Sequence, residues 1–269
     1  MTAISMHHRR HMLTAFADVR HQFSHSFLSP KLDLHLHAVS SDGEDEMGLI
    51  PLSDASRRPM HFPFVTMSII AINCFVFVLE LMGGDAFVLK WAAVPADIFG
   101  AHHWITILTA MFMHGSWLHL IGNMIFLWAF GPEIEDAMNP LRYSIFYLLG
   151  GCVAMLAQVL ATPDSKVPAL GASGAIAAVM GAFIVTFPRD EIRSLLFIFI
   201  FVRVTFIPAA VLIGFWFLSQ LVDAGVVAPT ETGGVAYLAH IGGFIFGVVA
   251  ARPFEDPGRL ARGAMNSIS

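Results

Sequence analysis

Long apolar segments alternate with short polar ones along most of the chain. Six of the apolar segments approach or exceed the ~20 residues that a helix needs to cross a bilayer. They cover residues 64–82, 117–130, 141–161, 170–187, 206–222 and 234–251. Pro188 and the charged residues after it end the fourth segment, because proline interrupts helical hydrogen bonding and charges prefer water. The pattern predicts an all-α membrane protein with six transmembrane helices.

Two apolar stretches do not fit this description of a span. A long connection, residues 83–113, joins the first two predicted spans and carries two tryptophans and two histidines. Residues 195–202 are apolar but too short for a span, and Arg203 interrupts the run. We therefore predict that residues 195–202 lie at the membrane interface.

Composition supports a membrane setting. Of the 269 residues, 56% are hydrophobic and 13% are charged, and the mean hydropathy is +0.69. Soluble domains average about 25% charged residues. The net charge of −5 gives no indication of a nucleic-acid partner. The sequence indicates neither a cofactor nor an oligomeric state.

The N-terminal residues 1–62 differ from the rest of the chain. They hold six Lys or Arg, seven Asp or Glu and eight of the 13 histidines. We predict a largely disordered N-terminal tail at 1–62, a membrane domain at 63–252 and a short C-terminal tail at 253–269. The tail histidines have no regular ligand spacing, so we expect solvated side chains rather than a metal site: His7, His8, His11, His21, His25, His35, His37 and His61.

Positive charge predicts the orientation in the membrane. With six spans, thirteen Lys or Arg residues fall on the side of the termini, and only Lys90 and Lys166 fall on the other. Cytoplasmic loops carry such an excess. We therefore expect both termini to be cytoplasmic in a bacterial-type inner membrane.

A serine and a histidine lie near the starts of the fourth and sixth predicted spans. Ser173 occurs in Gly171-Ala-Ser-Gly174, and His240 is followed by small residues at helical spacing. At 1.5 Å per residue, both lie within roughly 5–10 Å of the non-cytoplasmic edge. Small residues allow two membrane helices to approach closely, and a neighbouring base activates a serine. Alone, each residue fits ordinary helix packing; together they favour a catalytic dyad.

A second polar pair begins the second predicted span. His119 and Asn123 are four residues apart and share a helix face. Their side chains could stabilise an oxyanion or form an interhelical hydrogen bond, and the sequence leaves both readings open. We find no carboxylate at mid-span, which favours a Ser-His dyad over a triad. Because the H-E-x-x-H pattern is absent, we predict no metal site.

In combination, these motifs resemble the rhomboid intramembrane serine proteases. The resemblance covers residues 63–252 and rests on His119-x-x-x-Asn123, Gly171-Ala-Ser173-Gly174, Ala239-His240-Ile-Gly-Gly243-x-x-x-Gly247 and Gly131-Pro-Glu-Ile-Glu-Asp-Ala. It implies a six-transmembrane-helix rhomboid-type bundle with a long membrane-associated first loop at 83–113. It also implies Ser173 as nucleophile and His240 as general base, with the Ser173 N–H, His119 and Asn123 as the oxyanion hole.

The same resemblance implies cleavage of the transmembrane helices of membrane-protein substrates inside the bilayer, near the non-cytoplasmic face. The alternative is a catalytically silent rhomboid-like protein that binds and escorts membrane helices. Two positions depart from the family. Ala177 stands where many members carry an aromatic residue against the base histidine, and Ile105 follows Trp104 where an arginine is frequent. Phe215, Trp216 and Phe217 fit either a lateral gate or a lipid-facing surface.

Overall fold

The structure is a computed structural model that describes residues 47–101, 103–198, 201–227 and 236–266, and this part of the chain is mostly helical. The helices are α1 Phe64–Trp91, α2 Pro95–Ala101, α3 Thr106–Thr109, α4 Trp117–Met138, α5 Pro140–Ala161, α6 Ser173–Thr186, α7 Ala209–Val227, α8 Tyr237–Phe254 and α9 Pro257–Asn266. A 3-10 turn covers Ala110–Phe112, and the strands are β1 Met47–Asp54, β2 Glu191–Ile198 and β3 Phe201–Pro208.

Several helices have the properties of membrane spans. By length and composition, α1, α5 and α8 are each able to cross a membrane. Helix α6 and residues Ala209–Ala224 of α7 are shorter apolar helices. Large apolar side chains on the outer surface are exposed, such as Phe75, Met82 and Leu160. An apolar exterior of this kind suits lipid rather than water as the surrounding medium.

The first predicted span ends too early. Helix α1 continues past residue 82 to Trp91, with a break at Gly84, whose φ of 59° and ψ of −154° are not helical. Glycine adopts positive φ without a steric cost, so the chain bends there and resumes its helix. The connection predicted over residues 83–113 is therefore partly helical, and it includes α2, α3 and the 3-10 turn.

The prediction of an all-α protein is wrong in one region, where three strands form an antiparallel sheet in the order β1-β2-β3. The described residues of the segment predicted as interfacial, 195–198 and 201–202, belong to β2 and β3. Strand β3 also includes the predicted start of the fifth span, which begins as a helix only at Ala209. This stretch alternates aromatic and β-branched residues, which favour strands. Hydropathy alone does not distinguish such a strand from a buried helix.

The predicted tail also contributes to the sheet. Strand β1 pairs with β2, with Leu49 opposite Leu196 and Asp54 opposite Ile192. The prediction of a largely disordered tail is therefore wrong for the strand at Met47–Asp54, while residues 1–46 lie outside the described residues. His61, from the histidine-rich set, is hydrogen-bonded to Asp136 at 2.7 Å. The other seven tail histidines lie outside the described residues.

Helix α6 lies at the centre of the core and packs against α8 with their backbones in contact. Residues 174–183 of α6 are all buried. A Cβ on Gly243 would overlap the carbonyl oxygen of Gly174, and one on Gly247 would overlap that of Ala178. The close approach of the fourth and sixth apolar helices through small residues is thus confirmed. On α6 the contact runs along Gly174, Ala178 and Gly181.

A buried carboxylate fixes α1 to α4. The Glu135 side chain accepts hydrogen bonds from the backbone N–H groups of Val65 and Thr66, at 2.9 and 2.8 Å, and from the Thr66 hydroxyl at 2.8 Å. The first N–H groups of a helix have no intrahelical acceptors, so this carboxylate satisfies the start of α1 from the neighbouring helix.

Candidate active site

Ser173 is the first residue of α6, and the backbone before it is unusual. Gly171 has a φ of 132°, a conformation that favours glycine. A Cβ at Gly171 would also lie 2.8 Å from Cε1 of His119, so the imidazole would have to move to accept a side chain there. The Ala172 carbonyl accepts the first helical hydrogen bond, from Ile176. The Ser173 N–H therefore belongs to the set without an intrahelical acceptor, at the positive end of the helix dipole.

The fold brings Ser173 and His240 together across the α6–α8 contact. Oγ of Ser173 lies 2.7 Å from Nε2 of His240, within hydrogen-bonding distance. His240 is buried, with 8% of its surface exposed, and Ser173 is half-buried. A serine hydroxyl next to a ring nitrogen is the arrangement in which an imidazole takes the hydroxyl proton.

The second ring nitrogen of His240 has a partner that the sequence did not reveal. Nδ1 lies 2.6 Å from Oε1 of Gln220, a buried residue of α7. The only sequence signal was a polar Ser-Gln pair near the end of an apolar segment. Within the described residues, the hydrogen-bonding partners of His240 are therefore uncharged.

Aromatic side chains also surround the His240 ring, but they do not come from α6. Trp216 of α7 has its ring centroid 5.7 Å away and is tilted by 39°, and Tyr237 is 6.4 Å away in an edge-on arrangement. Ala177 is fully buried in the core. Among the described residues, the aromatic contacts of the His240 ring therefore come from α7 and from its own helix.

His119 and Asn123 lie on α4, on the other side of Ser173. The His119 ring lies against Gly171 and, 5.1 Å between centroids, against the His114 ring. Asn123 is buried, and its Nδ2 has no hydrogen-bond acceptor among the residues that the structure describes. In the described part of the chain, neither side chain is hydrogen-bonded to Ser173. The structure thus joins Ser173 to His240 directly and places His119 next to the serine loop.

The loop before α4 has an internal support. The carboxylate of Glu80, buried in α1, accepts a hydrogen bond from the His114 N–H, with its two oxygens 3.1 and 3.2 Å from that nitrogen. The Ser116 hydroxyl accepts from the His119 N–H at 3.1 Å and caps α4. These bonds fix the loop that orients His119. No group of three His, Cys, Asp or Glu side chains among the described residues is arranged to hold a metal ion.

An apolar groove of about 140 Å³ lies between α4, α7 and the sheet. Its lining is Leu49, Pro51, Phe126, Ile207, Val211, Leu212, Phe215 and Trp216. The Trp216 side chain therefore lines this groove and also packs against the His240 ring. Phe217, in contrast, stacks on Phe244 of α8 with centroids 4.2 Å apart. Two of the three aromatic residues singled out in the sequence line the groove, and the third packs against α8.

Comparisons with known proteins agree with these motifs. The Rhomboid domain family matches residues 101–254. The chain is 29% identical over 189 residues to Rhomboid protein 1, mitochondrial, of Saccharomyces cerevisiae. The aligned residues cover 68% of this chain and 51% of the yeast protein. It is 29% identical over 203 residues to RHOMBOID-like protein 12, mitochondrial, of Arabidopsis thaliana, covering 69% and 57% respectively.

A further relative is the Presenilin-associated rhomboid-like protein, mitochondrial, of Bos taurus, 27% identical over 149 residues, which cover 52% of this chain and 36% of the bovine protein. The chain spans about half the length of the first two relatives. The family match covers more than half of the chain and includes all four candidate site residues, Ser173, His240, His119 and Asn123. The chain belongs to the rhomboid family.

Proposed function

We propose that this protein is an intramembrane serine endopeptidase that cleaves transmembrane helices of membrane-protein substrates through a Ser173–His240 dyad. The observation that carries the proposal is the 2.7 Å contact between Oγ of Ser173 and Nε2 of His240, inside an apolar bundle. A histidine in a membrane domain is costly unless it has a function or a partner. Here its partner is a serine at the start of a helix.

The reaction follows from the positions of the two side chains. His240 takes the proton of the Ser173 hydroxyl while Oγ attacks the carbonyl carbon of a peptide bond. The imidazolium then donates that proton to the leaving amine, and an acyl-enzyme remains on Ser173. A water molecule, deprotonated by His240, hydrolyses the ester and restores the serine.

The oxyanion formed in each addition step needs donors that already point towards it. The Ser173 N–H at the start of α6 is one such donor, because it has no intrahelical acceptor. We assign the other two to His119 and Asn123. The Asn123 Nδ2 is buried without an acceptor, which suits a donor whose partner exists only during the reaction.

A substrate helix has to reach Ser173 from the lipid and unwind. We propose the groove between α4 and α7 as the lateral route, because apolar residues line it and Trp216 connects it to His240. When a substrate helix unwinds, its backbone N–H and C=O groups lose their helical hydrogen bonds, which is costly in a membrane. Substrates with small or helix-breaking residues at the cleavage site lose less on unwinding and are the expected class.

For the placement in the cell we propose a bacterial-type inner membrane, with six spans within residues 63–252 and both termini in the cytoplasm. The support is the distribution of Lys and Arg, thirteen against two. The three relatives named above carry mitochondrial names, so the proposal rests on the charge distribution of this chain. It places Ser173 and His240 near the non-cytoplasmic face.

The test is cleavage of a generic transmembrane substrate by the purified protein in liposomes. We expect Ser173→Ala and His240→Ala each to reduce kcat by at least about 10³-fold. The matched control is Ser144→Ala, since the half-buried Ser144, as far as the described residues show, donates its hydroxyl to the Pro140 carbonyl of its own helix alone. Cleavage by Ser173→Ala at the parent rate would overturn the proposal. A parent protein that binds the substrate without cleaving it would establish the silent alternative.

A further inference from the structure

Four consecutive hydrogen bonds connect the nucleophile to the backbone of α7. Ser173 Oγ and His240 Nε2 form the first, at 2.7 Å, and His240 Nδ1 and Gln220 Oε1 the second, at 2.6 Å. Gln220 Nε2 donates to the Ser219 hydroxyl at 3.1 Å, and this hydroxyl donates to the Trp216 carbonyl at 2.7 Å. The side chains of α7 thus reach the catalytic base from the side opposite to Ser173.

The Trp216 carbonyl determines which group donates in each of these four hydrogen bonds. The Trp216 carbonyl only accepts, so the Ser219 hydroxyl donates to it and accepts from the Gln220 amide nitrogen. The amide oxygen then faces His240 and accepts the proton of Nδ1. In a neutral imidazole, a proton on Nδ1 leaves Nε2 as an acceptor. Ser173 therefore donates its hydroxyl proton to His240.

We propose that Gln220 is the positioning residue of the catalytic base: its amide oxygen holds His240 in the tautomer that accepts the Ser173 proton, and Ser219 fixes the orientation of that amide. The inference rests on the proposed function and deepens it. An imidazole with the proton on Nε2 would donate to Ser173 and could not act as its base. Gln220 also fixes the rotation of the His240 ring, against which Ala177 has no aromatic side chain to pack.

Because Gln220 is uncharged, it orients His240 without stabilising the charged form of the ring. Within the described residues, the ionisable groups that face His240 are His119 from α4 and Tyr237 of its own helix, and Asp223 of α7 interacts with Tyr237. Gln220 adds orientation without a charge. A carboxylate in its place would orient the ring equally well but would also stabilise the imidazolium.

The experiment compares four variants with the parent in the liposome cleavage assay, with unfolding midpoints measured in detergent. Gln220→Leu keeps the volume and removes the acceptor, and we expect kcat to fall about 10–10²-fold with KM unchanged. Gln220→Glu restores the acceptor, so kcat recovers at neutral or higher pH while the acid limb of the pH profile moves to higher pH. Ser219→Ala releases the amide and gives a smaller loss of kcat.

The matched control is Gln158→Leu, a glutamine of α5 whose side-chain amide, within the described residues, is hydrogen-bonded to Thr162 and not to Ser173 or His240. We expect it to keep the parent kcat. Parent-like kcat in Gln220→Leu overturns the inference, as does a Gln220→Glu variant that neither recovers kcat nor shifts the acid limb. If Gln220→Leu does not fold, the Gln220→Glu profile decides alone. These outcomes leave the proposed function intact, because that function is contradicted only by cleavage by Ser173→Ala or by a parent protein that does not cleave.

Discussion

Gly243 of α8 lies directly against the backbone carbonyl of Gly174 in α6, one residue after the candidate nucleophile. The two helices touch at this point without any intervening side chain. His240 lies three residues before Gly243 and therefore on the same face of α8. The distance between the two helix backbones thus sets the distance between His240 and Ser173.

We expect Gly243→Ala to impair both stability and activity. Its new methyl group would overlap a backbone carbonyl, which has no flexible end that could move away. Overpacking of this kind costs about 1–3 kcal/mol. Because a shift of about 1 Å at a reacting group can cost about 10²-fold, kcat is expected to fall at least tenfold. The measurements are the unfolding midpoint in detergent and the cleavage rate.

The control for this variant is Gly214→Ala on α7, where a Cβ would meet no atom within 4 Å. Alanine is a better helix former than glycine, so this variant is expected to unfold at the same or a higher temperature. If Gly243→Ala and Gly214→Ala behave alike, the α6–α8 contact is looser than the structure indicates.

Asn123→Ala is expected to separate activity from stability. If Nδ2 is an oxyanion donor, its loss lowers kcat by about 10²–10³-fold with little change in KM. The same nitrogen is buried without an acceptor, so its removal is expected to leave the unfolding midpoint unchanged or higher. Steady-state kinetics and thermal unfolding of one preparation test both parts.

Asn73→Ala provides the opposite case. Asn73 is also buried, but its Nδ2 donates to the Ile69 carbonyl at 2.7 Å inside α1. We expect this variant to unfold at a lower temperature and to keep its kcat. An Asn123→Ala variant that loses stability but not kcat would show that Asn123 has a packing role instead.

The sequence was sufficient to predict the helix pair that brings Ser173 and His240 together. Both residues lie at the start of apolar runs, and small residues at helical spacing follow each of them, Ala177 and Gly181 on α6 and Gly243 and Gly247 on α8. In a membrane, small residues at this spacing mark helix contacts directly, because close backbone approach depends on the absence of side chains. The helical rise alone predicts that both residues lie at a similar depth, and this depth stays a prediction.

Gln220 and the sheet could not be predicted in the same way. Gln220 is one polar residue in an apolar helix, and its meaning depends on which face of α7 meets α8. The pairing of β1 with β2 joins residues about 140 positions apart, such as Asp54 and Ile192. No local pattern encodes so distant a register, and apolar strands resemble short helical segments in hydropathy.

Asp54, the last residue of β1 at the base of the sheet, is expected to make the stability of the protein depend on pH. Asp54 is buried, and its burial together with the nearby Asp190 raises its pKa to about 7. Arg57 is paired with both oxygens of Asp190 and lies over the Phe187 ring. An unfolded chain has an aspartate pKa of about 3.9. The folded protein therefore holds a proton on Asp54 that the unfolded chain releases between these two values.

The sign of the effect follows from linkage. Asp54 favours the folded state most below about pH 4, and this contribution declines as the pH rises to about 7. We expect Asp54→Asn to be more stable than the parent at about pH 8 and to differ little from it at about pH 4. Hydrogen exchange of the β1 amides, with unfolding midpoints across this range, measures the difference.

Asp256 offers a control of opposite sign, because a hydrogen bond from the Asn139 side chain lowers its pKa. Its contribution is present above about pH 4 and is lost on acidification, so Asp256→Asn should weaken the protein at neutral pH and not under acidic conditions. An Asp54→Asn variant with the same pH dependence as the parent would mean that the Asp54 carboxylate stays ionised at the base of the sheet, held by Arg57.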